Sequence, residues 1–217
     1  MLELFKHILH LDFEWLFQNY KDTVYIILFL VIFVETGLVI MPFLPGDSLL
    51  FTAGLFANQV NSITGEPFLN IFTLLSLLFI AAVLGDNTNY WIGRKIGLRA
   101  LHIKFKGKNL VKQEYIDKTH SFFEKYGTKT IILARFVPIV RTFSPFVAGI
   151  AEMRYRKFLS FDILGGAIWI LSLTFAGYFL GNIEWIRKHI ELVALGIVFI
   201  SILPIVIEVI KAKTSKK

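Results

Sequence analysis

Ala134-Arg135-Phe136-Val137-Pro138-Ile139-Val140-Arg141-Thr142-Phe143-Ser144-Pro145 is the stretch on which the reading of this chain turns. Two arginines stand among prolines and large apolar side chains, a composition foreign to an aqueous loop. Proline lacks a backbone N–H and crowds the preceding turn, so Pro138 and Pro145 interrupt a continuous helical ladder. An arginine at the centre of a membrane helix costs about 2.5 to 3.5 kcal/mol. A sequence that places two of them among apolar residues must supply partners or water.

Working outward, the surroundings are those of a lipid-embedded chain. Of the 217 residues 55% are hydrophobic and 18% charged, against about 25% charged in an average soluble domain, and the mean hydropathy is +0.64. Cysteine is absent, which excludes thiol chemistry and thiolate metal sites. The net charge of +7 does not indicate nucleic acid, because the basic residues flank apolar spans, where they set orientation in a membrane.

A spanning helix needs about 20 mostly apolar residues, and runs of about 10 to 14 mark re-entrant or interfacial pieces. By that rule residues 23–41, 71–93, 158–181 and 190–210 cross, while 42–57 and 130–153 are short and broken. Residues 94–129 hold ten Lys or Arg against Glu114, Asp117 and Glu124, so this connection is cytoplasmic. Within it Val111, Tyr115, Phe122 and Tyr126 form a helical stripe ending at Gly127, which suits a surface helix with a glycine cap. Arg154, Arg156 and Lys157 put the start of the third crossing on the same side, and Lys211, Lys213, Lys216 and Lys217 do so for the tail. Arg187 and Lys188 fall in an external loop, with Glu184 and Glu191 beside them. Residues 1–22 lack the pattern of a cleaved signal; Leu4, Ile8, Leu11 and Trp15 recur at helical spacing, as in an amphipathic interfacial helix or an ordinary packing helix.

The first broken segment then enters from outside and the second from inside. Phe51-Thr52-Ala53-Gly54 matches Phe146-Val147-Ala148-Gly149, and Tyr90-Trp91-Ile92-Gly93 matches Tyr178-Phe179-Leu180-Gly181. The expected fold is all-α: four spanning helices and two opposed re-entrant hairpins in an inverted repeat, an architecture of transporters.

Four intramembrane charges stand out. Glu35 lies about twelve residues into the first span, near mid-bilayer at ~1.5 Å rise per residue. Asp47 follows Pro42, Pro45 and Gly46, which open the turn of the first hairpin, and is expected to cap the short helix after it. With Arg135 and Arg141 these acids would cost on the order of 10 to 14 kcal/mol unpaired. Two readings account for them: a structural ion-pair lock, or a polar cavity in which guanidinium groups hold a phosphate and the carboxylates release them or carry protons. Asp86, in Gly85-Asp86-Asn87-Thr88-Asn89, is either a further proton carrier or part of a helix-packing cluster. Asp162 and Glu208 are placed nearer helix ends, at the interface, and Trp91, Trp169 and Trp185 as belt or packing aromatics. Prolines 138 and 145 and Gly149 shape the second hairpin. The five histidines, His7, His10, His102, His120 and His189, lie outside the spans, so no metal centre or cofactor is expected.

Glu35 with Gly37, Pro45-Gly46-Asp47, Gly85-Asp86, and Arg135-Phe-x-Pro-x-x-Arg141 leading to Pro145 and Ala148-Gly149 together resemble the DedA family, whose domain is also called VTT or SNARE-associated Golgi protein. The resemblance covers roughly residues 23–181. It implies a membrane domain at 23–210 between the interfacial segment 1–22 and a basic tail 211–217, in a bacterial-type plasma membrane with both termini cytoplasmic. It also implies movement of a lipid phosphate headgroup, undecaprenyl phosphate foremost, with Glu35, Asp47, Arg135 and Arg141 at the family's functional positions; as carboxylates within the membrane, Glu35, Asp47 and Asp86 are the candidates for proton coupling. A phospholipid flippase or scramblase, a proton-coupled exporter of small solutes or drugs, a lipid-phosphate enzyme and an envelope scaffold are the alternatives; an enzyme is disfavoured for want of a nucleophile or metal motif. The expected partners are the bilayer, an anionic lipid and protons, with a homo-oligomer left open and nucleic acid excluded.

Overall fold

Asn70 shows how the sequence opens a long helix. Its side-chain Oδ1 accepts hydrogen bonds from the backbone N–H groups of Phe72 at 3.0 Å and Thr73 at 3.1 Å, satisfying two donors that a helix start leaves without partners. The computed structural model describes residues 13–38, 46–60, 65–96, 104–105, 108–109, 117, 123–124, 126–189, 192 and 196. In chain order its elements are α1 (Phe13–Gly37), α2 (Gly46–Asn58), α3 (Ile71–Ile96), β1 (Lys104–Phe105), β2 (Lys108–Asn109), a 3-10 turn (Gly127–Lys129), α4 (Thr130–Ala134), α5 (Pro138–Ile150), α6 (Tyr155–Leu180) and α7 (Glu184–Lys188).

The all-α expectation holds but for one small departure. In the basic connection β1 and β2 pair antiparallel over two residues each, with Lys104 opposite Asn109. Gly127, at the start of the 3-10 turn, has φ +59°, a conformation open to glycine; the stripe residues Val111, Tyr115 and Phe122 lie outside the described residues.

Among the described residues two helices are long and apolar enough to cross a bilayer, α3 and α6, each of 26 residues. At ~1.5 Å per residue each is about 39 Å long, more than the roughly 30 Å hydrocarbon core. Of the stretch expected at 23–41, Thr23–Gly37 is the apolar part of α1, which runs unbroken from Phe13, and 39–41 lie outside the described residues. The stretch 190–210 falls outside the described residues except for 192 and 196.

By its internal contacts the chain divides into two compact units, residues 1–28, 45–77 and 171–217, and residues 29–44 and 78–170. In the first unit α2 runs against the end of α6. A Cβ added at Gly54 would strike the carbonyl oxygen of Thr174, and one at Gly177 that of Phe51. Glycine is required at both, since backbone meets backbone and neither side can give. Phe56 packs edge-on to Phe68 at 6.4 Å, and Leu50, Leu55, Leu69 and Leu74 fill the core.

The second unit repeats that crossing. A Cβ on Gly149 of α5 would strike the carbonyl of Tyr90, and one on Gly93 of α3 that of Phe146. Thus Phe-x-x-Gly on the short helix faces a second glycine, three residues beyond the carbonyl it meets, in both units. The hairpin match of Phe51–Gly54 with Phe146–Gly149 is therefore also a match of contacts. The long-helix match shifts by one turn: the counterpart of Gly93 is Gly177, whereas Gly181 approaches Asn58 and Leu55.

The segment 130–153 is broken as expected. α4 ends at Ala134, residues 135–137 turn, and α5 starts on Pro138 at its first position. Val137 is extended, with φ −120° and ψ 106°, as the residue before a proline prefers, and proline suits the first helical position. Pro145 by contrast sits inside α5, where it leaves the Arg141 carbonyl without the N–H of an ordinary turn. α5 closes with Met153 N–H bonded to the Ala148 carbonyl at 3.0 Å and Glu152 N–H to that of Gly149 at 3.1 Å, the pattern in which the residue after the cap is left-handed. Here that residue is Glu152, with φ +53°. The Met153 carbonyl also accepts hydrogen bonds from the Tyr90 hydroxyl and, at 3.3 Å, from Arg94 Nη1.

Candidate functional site

Arg135 is placed by the break between α4 and α5, and its guanidinium is buried in the second unit. Its Nη2 donates to Asp86 Oδ2 from α3, to Asp162 Oδ1 from α6 at 2.5 Å, and to the Asp162 carbonyl at 3.3 Å. Arg141, one turn into α5, donates from Nη2 to Glu35 Oε1 of α1 at 2.5 Å. The five side chains are at most 8% exposed. A buried ion pair is sustained only when its geometry and hydrogen bonds offset the loss of water, and each guanidinium makes direct charge-assisted bonds to carboxylate through Nη2.

Trp169 links the two ion clusters. Its ring centroid lies 5.8 Å from Arg135 Cζ and 5.0 Å from Arg141 Cζ, within the range in which an aromatic face attracts a cation. Fully buried, it is a packing aromatic rather than a belt residue. On α6 it shares one face with Asp162, Gly165 and Gly166, at spacings of three, four and seven residues from Asp162. A Cβ at Gly165 would lie 3.3 Å from Arg135 Nε and one at Gly166 3.4 Å from Nη2, so the paired glycines make room for the guanidinium.

Asn89 supports the second ion pair from α3. Its amide nitrogen donates to the carbonyls of Thr36 at 3.1 Å and Thr142 at 2.7 Å, the residues that follow Glu35 and Arg141. Thr36 in turn bonds its hydroxyl to the Ile32 carbonyl at 2.9 Å, and Gly85 and Gly37 let α3 and α1 approach to backbone contact. Asn89 thus acts as cross-helix glue, whereas its neighbour Asp86 is an ion-pair partner.

The structure therefore regroups the residues singled out in the sequence. Glu35 and Arg141 come together, and Arg135 is held by Asp86 and by Asp162. Asp162, expected near the interface, is fully buried within the protein, where a guanidinium reaches it from the break before α5. Asp47 belongs to the first unit and lies in the first turn of α2, inside the helix rather than at its cap, since the helix starts on Gly46. A carboxylate there still favours the helix start. Gly46 begins α2, and Pro42 and Pro45 lie outside the described residues. Asp162, Trp169 and the Gly165–Gly166 pair were missed. The spacing Asp-x-x-Gly-Gly-x-x-Trp on one helix face was the available signal, but nothing in it names Arg135 as its partner. Among the described residues no cluster of His, Cys, Asp and Glu suits a metal ion.

Several open hydrogen-bonding atoms are sealed in the same unit: Arg135 Nη1, Asp162 Oδ2, Asn89 Oδ1 and Ser144 Oγ have no partner among the described residues. Buried polar atoms are nearly always bonded, so a site with both donors and acceptors to spare is chemically able to receive water, a proton or an anion.

A family model described as the VTT domain matches residues 44–179. Protein DedA of Escherichia coli (strain K12) is 48% identical over 97% of this chain and 94% of its own length. An uncharacterized membrane protein of Mycobacterium tuberculosis (strain ATCC 25618 / H37Rv) is 45% identical over 87% of this chain and 79% of its own. The inner membrane protein YqjA of Escherichia coli (strain K12) is 32% identical over 82% and 77%. None of these names states an enzymatic activity. No solved structure matches.

Proposed function

The chain belongs to the VTT-domain family of bacterial membrane proteins that includes DedA, and from that premise we propose that it is a flippase for lipid phosphates, with undecaprenyl phosphate as the leading substrate. One observation carries the reading: two buried guanidinium groups, Arg135 and Arg141, flank one indole and are each paired with ionisable carboxylates on other helices. Guanidinium recognises phosphate in bidentate fashion, and a carboxylate partner is a stand-in that an incoming phosphate can displace. The ion pairs are then the resting state of the site, with Glu35, Asp86 and Asp162 holding the arginines while no headgroup is bound. Asp47, Glu35 and Asp86 are the proposed acids of coupling, the acyl tail remains in the bilayer, and the chain lies in the plasma membrane as four spans and two re-entrant hairpins with cytoplasmic termini.

The competing reading is a lock whose ion pairs serve stability alone. In proteoliposomes carrying labelled undecaprenyl phosphate, Arg141→Lys keeps the charge but loses the planar fork, so lipid movement should fall at least tenfold while the melting temperature in detergent changes little. Undiminished movement by an Arg135→Ala/Arg141→Ala protein would refute the flippase reading. Movement of labelled phosphatidylethanolamine in the same vesicles would redirect the substrate to phospholipid.

A further inference from the structure

Two carboxyl groups on one guanidinium nitrogen are more negative charge than that cation neutralises. Asp86 and Asp162 both accept from Arg135 Nη2, which brings the two carboxyl groups to one nitrogen, and both are buried. With both ionised, two like charges would face each other away from water, which is the arrangement in which carboxyl pairs hold a proton in common. The hydrogen-bonding pattern points the same way, since Asp162 Oδ2 has no donor among the described residues. A proton on the pair turns one acceptor into a donor.

We propose that Asp86 and Asp162 form one proton-binding pair, and that a second proton replaces Arg135 on it when the guanidinium turns to a phosphate. At rest the triad holds one proton and is neutral: Arg135 carries a positive charge and the pair a single negative one. When a phosphate monoanion takes Arg135, the pair loses its counter-charge and binds one further proton from water. Arg135 and phosphate are then neutral together, as are the two protonated acids. Departure of the phosphate returns Arg135 to the pair and expels that proton, so charge balances in each state. Among the described residues the charged groups around the triad are Asp86 from α3, Asp162 from α6, Arg135 from the α4–α5 break, and the Arg141–Glu35 pair from α5 and α1 beyond Trp169. Glu35 already has a guanidinium of its own, which makes Asp162 rather than Glu35 the second acid.

The swap rests on the flippase reading; the resting proton does not, and the experiment separates them. Infrared spectra of the purified full-length protein in detergent at neutral pH should show the C=O stretch of a buried protonated carboxyl group. Asp86→Asn and Asp162→Asn should each abolish it, because one remaining carboxylate on Arg135 stays ionised, while Asp162→Glu should shift the band and keep it. Dihexanoyl phosphatidic acid should roughly double the wild-type band; doubling by inorganic phosphate as well would identify the free anion as a sufficient ligand. A resting spectrum without the band, or with a band untouched by both Asn substitutions, overturns the pair. A resting band that neither phosphate changes overturns the swap. If the band behaves as expected and proteoliposomes move no lipid, the transport reading falls and the proton-binding pair stands.

Discussion

Replacing Arg135 with alanine should strand Asp86 and Asp162 in an apolar interior, and removing one side of a buried ion pair costs about 3 to 5 kcal/mol. The expected outcome is a large drop in melting temperature in detergent, partly restored by adding Asp86→Asn and Asp162→Asn, because the neutral amides no longer need a counter-ion. A different single residue should work in the opposite direction. Glu152 holds a left-handed conformation at the end of α5, exposed to solvent. That conformation costs a non-glycine residue roughly 1 to 2 kcal/mol, so Glu152→Gly should raise the same melting temperature by about 1 kcal/mol of stability. At this scale the sequence was only partly legible. The two arginines and Glu35 announced themselves by being charged among apolar neighbours. Asp162 did not, since seven residues from a basic helix start it reads as a residue at the water's edge, and only a partner 27 positions away in the chain reveals otherwise.

Among the elements, the break at residues 135–137 could be read directly, because proline fixes the backbone locally and its effect needs no tertiary context. The helix crossings could be read only in part. Phe-x-x-Gly appears in both short helices, but which glycine of the long helix it meets is decided by packing, and the match to Gly181 was one turn too far. Both crossings are backbone against backbone, so Gly149→Ala and Gly54→Ala should each cost about 1 to 3 kcal/mol by overpacking, measured as loss of thermal stability in detergent. Gly65, where an added Cβ meets nothing within 4 Å but φ is +69°, separates the causes: alanine there introduces backbone strain without a clash.

For the whole molecule the governing fact is that apolar surface remains outside. Ile80 and Leu84 on α3 and Leu164, Ile168 and Leu171 on α6 are 42 to 52% exposed, a loss to a soluble fold and an advantage in lipid. Leu84→Arg should therefore lower the amount of protein recovered in the membrane fraction, an arginine at a span's centre costing about 2.5 to 3.5 kcal/mol. The same substitution on a water-facing helix would pass unnoticed. Length, apolarity and the positive connection made the membrane setting evident from the sequence, whereas the grouping of charges within it depended on how α3, α5 and α6 come together. One consequence follows from where Arg135 sits. The three residues that join α4 to α5 begin with the arginine that the two acids grip, so the latch is mounted on the joint itself. Whatever draws that guanidinium away therefore acts on the chain at the corner between the two helices, where the loss of its carboxylate anchors is felt first.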